Sequence, residues 1–63
     1  MIVDIEPGMV TIRNAEAILG ISNALTLTPN QTRLVAMRLM HKGEHTFAAE
    51  GLYRAADQAE KGN

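Results

Sequence analysis

Two histidines and a glutamate within five residues, His41-Lys42-Gly43-Glu44-His45, carry the sharpest chemical signal in the chain. Read as H-x-x-E-H, the run has the spacing of a zinc hydrolase site, where histidines one helical turn apart hold the metal and the glutamate activates its bound water. That chemistry needs a continuous helix. Gly43 sits in the middle of the run, where a helix arriving from the N-terminal side should stop, and a third protein ligand would have to come from Glu50 or Glu60. A polar turn with two exposed histidines is the expected arrangement. Ser22 is the only serine, with no histidine–aspartate pair suggested around it. There is no glycine-rich phosphate loop and no cysteine for a thiolate nucleophile or metal ligand. The chain is therefore expected to be no enzyme and to hold no metal or cofactor.

The second signal is Leu19-Gly20-Ile21-Ser22 within Ala15–Leu25. It resembles the turn of helix-turn-helix DNA-binding proteins, in which a glycine permits the tight turn and flanking apolar residues lock two helices together. The resemblance covers about a dozen residues and implies a small DNA-binding regulator as the alternative function. Three positions depart from it. Glu16 stands where a small residue allows close helix contact, Thr26 where an apolar side chain should be buried, and Pro29 where a recognition helix should continue. Ser22–Thr28 also carries no Lys or Arg to meet phosphates or bases.

The elements that would position these groups are of unequal clarity. Met1–Asn14 is rich in β-branched residues, and Pro7-Gly8 suits the centre of a type II turn. A hairpin of Ile2–Ile5 with Met9–Ile12 is conceivable. A type II turn splays paired strands, however, and a lone hairpin is marginal, so an extended arm is expected instead. A first helix should run to about Leu25, with Ala15, Ile18, Ile21, Ser22 and Leu25 on one face of an unusually broad apolar arc. The second helix has the best boundaries: Thr28 as N-cap, Pro29 at the first helical position, Gln31 completing a capping box, and Gly43 just past the end. Its apolar residues spread around most of the circumference, so it should be central. The third helix, from Thr46 as its cap to Gly62 as its stop, has a face of Ala48, Ala49, Leu52, Ala55, Ala56 and Ala59. Its opposite face carries Glu50 with Arg54 and Asp57 with Lys61, both at i,i+4 spacing.

The expected fold is all-α: a short extended N-terminal arm followed by three helices at about 11–25, 29–42 and 46–61, a single domain over 1–63. Length then argues for a partner. A chain of 63 residues buries only about 60% of the surface its unfolded form exposes, and without cysteine it has no disulfide to reinforce it. A homodimer is expected to complete the bundle, with Leu34, Val35, Met37, Leu39 and Met40 divided between the protomer core and the subunit interface. Phe47, Tyr53 and Arg54 are the second candidate contact patch, since the two aromatics both fall off the alanine face. The net charge of −1 gives no global attraction to nucleic acid, so DNA is possible as a partner but not favoured. No apolar stretch approaches the roughly 20 residues of a membrane span, and no basic segment leads into an apolar run at the N-terminus. A cytoplasmic protein is expected.

In size, in its lack of catalytic groups and in general character, the chain resembles the short accessory proteins encoded in the early regions of temperate phages of the lambda type. These include the small reading frames between the exonuclease and excisionase genes. The resemblance implies a non-catalytic helical protein that adjusts host or prophage development through an unidentified protein partner.

Overall fold

The structure, a computed structural model, describes residues 1–62. It corrects the all-α expectation at its N-terminal half. The chain runs β1 (Ile2–Glu6), β2 (Met9–Arg13), α1 (Glu16–Leu19), β3 (Leu25–Leu27), α2 (Pro29–Lys42) and α3 (Thr46–Glu60). The three strands form one antiparallel sheet in the order β1-β2-β3, and the α2–α3 hairpin lies on one face of it. This is an α+β domain of two layers.

The expected extended arm is a hairpin. Glu6 pairs with Met9 and Ile2 with Arg13, leaving Pro7 and Gly8 as a two-residue connection. Gly8 has φ of 75°, the positive value that the second central position of a type II turn requires. The tendency of such a turn to splay its strands is overcome from outside the hairpin. β3 pairs along β2 from Val10↔Leu27 to Ile12↔Leu25, α3 packs on both β1 and β2, and the Gly8 N–H donates to the carbonyl of Ala59 at 2.8 Å.

Residues 9–13 are strand and not helix because their side chains alternate. Val10 and Ile12 are buried at 0% and 1% exposure, while Met9 and Arg13 face out. Val3 and Ile5 stand opposite Ile12 and Val10 on the same inner face. On the outer face Arg13 Nη2 meets Asp4 Oδ2 at 2.8 Å, a diagonal cross-strand pair. Of the first expected helix only one turn survives, Glu16–Leu19. It is closed by Gly20 in the left-handed conformation with its N–H on the Glu16 carbonyl at 2.9 Å.

The second helix begins and ends as its sequence directs. The Thr28 hydroxyl accepts from the Gln31 N–H at 3.2 Å, and the Gln31 side chain accepts from the Thr28 N–H at 3.0 Å. Gly43 terminates the helix at φ 74°. The third helix differs at its start: His45, not Thr46, is the N-cap residue, at φ 55° and without a side-chain cap bond. Two left-handed residues, Gly43 and His45, reverse the chain within three positions. The alanine face is the core as expected, with Ala49, Leu52, Ala55, Ala56 and Ala59 buried. Of these, Ala49, Leu52, Ala55 and Ala59 cluster with Ala36 and Leu39 of α2 and Val10 and Ile12 of the sheet. Small side chains let α3 approach closely, and the strands supply the bulk that alanine lacks.

The sheet thus covers one side of α2, the role that the all-helical expectation gave to a second subunit. The surface of 4145 Å² is close to the roughly 4,000 Å² expected of a folded monomer of this mass. An all-helical bundle is not what the chain forms.

Candidate functional site

Packing against α3, and to a lesser extent against the sheet, occupies one side of α2. On that side Thr32, Ala36 and Leu39 are buried and Val35 is half-buried. Thr32 is accommodated there because its hydroxyl donates to the Thr28 carbonyl at 2.9 Å. The opposite side remains outside. Leu34 and Met37 are each 53% exposed and Met40 43%, an apolar line that continues through His41 and back to Asn30 at helical spacing. Of the five α2 residues expected to divide between core and interface, Leu39 and Val35 therefore belong to the core, and Leu34, Met37 and Met40 lie open.

The α3 patch is dispersed. Phe47 is 86% exposed, on the side of α3 away from the core, and Arg54 is exposed on the same side. Tyr53 is half-buried against the core cluster. The structure does not bring the three together.

Arg33 joins the two helices. Its Nη1 donates to Glu60 Oε2 at 2.8 Å and to Asn30 Oδ1 at 3.0 Å, and its Nη2 donates to Asp57 Oδ1 at 2.9 Å. The hydrogen bond to Glu60, followed by that to Asp57, raises the guanidinium above its ordinary pKa. The same contact, reinforced by the charge of Arg33, lowers the Glu60 carboxyl below its ordinary value. Asp57 is thereby drawn to α2, and the expected ion pair with Lys61 is replaced by this one.

A cleft of about 230 Å³ opens on the other flank of α2, between it and the α1–β3 segment. Ile18, Leu19, Ile21, Leu25, Val35 and Leu39 line it, together with Arg38 and Lys42. Sequence reasoning missed this cleft. Ile18, Ile21 and Leu25 were expected to share the face of one long helix; a turn, a loop and a strand bring them together instead.

Neither the zinc-hydrolase motif nor the helix-turn-helix motif is assembled. The helix ends at Lys42, so His41 and His45 lie on either side of a chain reversal and not along one helix face. Among the described residues no group of three or more His, Asp or Glu is placed to hold a metal ion. After Gly20 the chain enters a loop and then β3, so Leu19-Gly20-Ile21-Ser22 ends a short helix without the second helix that a helix-turn-helix unit needs. No helix of the described residues is long and apolar enough to cross a membrane. In comparisons with known proteins the chain matches no family model, no curated protein and no solved structure significantly.

Proposed function

We propose that the protein is a non-catalytic interaction protein that pairs with a second copy through the exposed face of α2 and works in the cytoplasm. The observation that carries this reading is the line of Leu34, Met37 and Met40, three large apolar side chains held open on a helix whose other side is already packed. A contiguous apolar strip on a well-capped helix is suited to meet another such strip. A twofold axis at Met37 would set Leu34 of each copy against Met40 of the other, a self-complementary arrangement.

The pair then acts by binding another macromolecule. The likeness to accessory proteins of temperate phages supports a role in adjusting host or prophage development, and the genes flanking this one would test that setting directly. Sedimentation equilibrium tests the pairing. At about 100 µM the chain should sediment as a dimer, and Met37→Glu should return it to monomer with its circular dichroism unchanged. A wild-type monomer at that concentration refutes the reading.

A further inference from the structure

The cleft beside α1 is apolar on its walls and cationic on one rim, and among the described residues its cations make no ion pair. Arg13 is engaged by Asp4, and Arg33 by Asp57 and Glu60. Arg38 and Lys42, one turn apart on α2, make no ion pair among the described residues. Both stand at the cleft, against Ile21, Leu25 and Val35. A low-dielectric wall beside an unpaired cation strengthens its attraction for an arriving carboxylate.

We infer that this cleft is the docking site for an acidic amphipathic segment of a partner protein: one bulky apolar residue enters between α1 and α2, and Asp or Glu within a helical turn of it meets Arg38 and Lys42. Size selects an anchoring side chain. Pockets for drug-sized molecules occupy about 300–1,000 Å³; this one, at about 230 Å³ and open to solvent, has room for an anchor or two. Charge selects the flanking residues, because a neutral or basic segment would leave both cations desolvated without compensation. The mode is a helix laid into a groove, where a few anchors carry the affinity and charge sets the register. The inference rests on the interaction protein proposed above and supplies its partner class; Arg38 and Lys42 border both surfaces, but the apolar anchors differ, so variants at Ile21 and at Met37 let the two fail separately.

Three short fluorescent peptides of the same length test it by anisotropy against the full chain: one with a central Trp flanked by Glu, one with Trp flanked by Lys, and one with Ala flanked by Glu. The first should bind at least about ten-fold more tightly than either control, weakening as salt rises. Amide resonances of residues 18–25 and 35–42 should shift on its addition. Lys42→Glu and Ile21→Asp, both at exposed positions, should each remove the binding while leaving the thermal melt and the sedimentation of the free chain unchanged. Equal binding of the Lys-flanked peptide overturns the inference, as do shifts confined to Leu34, Met37 and Met40. Sodium decanoate forms a separate arm: if it shifts the cleft resonances and no peptide does, the site takes a lipid carboxylate and the partner segment is refuted. If Ile21→Asp abolishes peptide binding and the wild-type chain is monomeric, the cleft stands and only the pairing is lost.

Discussion

Phe47 and Leu52 sit five residues apart on α3 and should respond oppositely to truncation. Leu52 is wholly buried where α3 meets the sheet and α2, so Leu52→Ala removes a core side chain and leaves a cavity, at a cost of about 3–5 kcal/mol. The whole domain holds only roughly 3–9 kcal/mol at typical stability per residue. This single change should therefore remove about a third or more of the domain's stability. Phe47 is 86% exposed, which leaves about one-seventh of a side chain of roughly 200 Å² covered. That is about 30 Å², or ~0.7 kcal/mol at 25 cal/mol per Å². Urea denaturation followed by circular dichroism separates the two. Phe47→Ala should move the midpoint only slightly with an unchanged slope, while Leu52→Ala should show a collapsed transition. A loss of about 3 kcal/mol from Phe47→Ala would mean that this ring lies over Met40 and the inter-helix turn as a lid, and the exposed position of Phe47 would be refuted.

Two further perturbations probe the turn and the inter-helix clamp. Gly8→Ala should cost about 1–2 kcal/mol from the positive φ alone, since no atom lies within 4 Å of the added Cβ; thermal melts should show Gly8→Asn to be milder, and if Asn is the worse of the two the cause is crowding. The Glu60 pKa is lower in the folded state than in the unfolded chain, so its contribution to stability is present above the ordinary value of 4.5 and is lost as pH falls through the lower folded value. Melting temperature followed from pH 6 to pH 2 should decline less steeply for Glu60→Gln than for the wild type, and less steeply in high salt, because the pair is solvent-exposed and screened.

Local signals were legible where one element's own backbone enforces them. Thr28, Pro29, Gln31 and Gly43 mark both ends of α2, because capping geometry depends on residues within a turn of one another. The alanine face of α3 was equally legible from its spacing. The N-terminal half was not, because its structure is decided at a distance. Met9–Arg13 can be read as part of an amphipathic helix or as an alternating strand, and the choice falls to strand only once β3 and α3 are in place. β3 itself is three residues, Leu25–Leu27, too short to show a period. The unusually broad apolar arc of the expected first helix was the one symptom, since its residues belong to a strand, a single helical turn, a loop and a second strand. At the candidate site, Leu34, Met37, Met40 and Phe47 were identifiable as apolar residues in excess of one helix's core stripe. The cleft was not, since its walls come from α1, the following loop, β3 and α2.

The hydrogen bond from Gly8 to Ala59 has a consequence for the order in which the domain assembles. It links the first turn of the chain to the last turn of the last helix, and the hairpin it fastens is marginal without that cover. Synthesised from the N-terminus, β1 and β2 must wait with Val10 and Ile12 open to water until α3 has emerged to shelter them. The strand pairings themselves are local, but the cover they need comes from α3, distant in sequence, so the sheet is secured late. The slowest amide to exchange with solvent should then include Gly8, deep in the cooperative unit despite its place at a surface turn. A cut between β2 and α2 would part Val10 and Ile12 from the helices that shelter them, so the two layers hold only together.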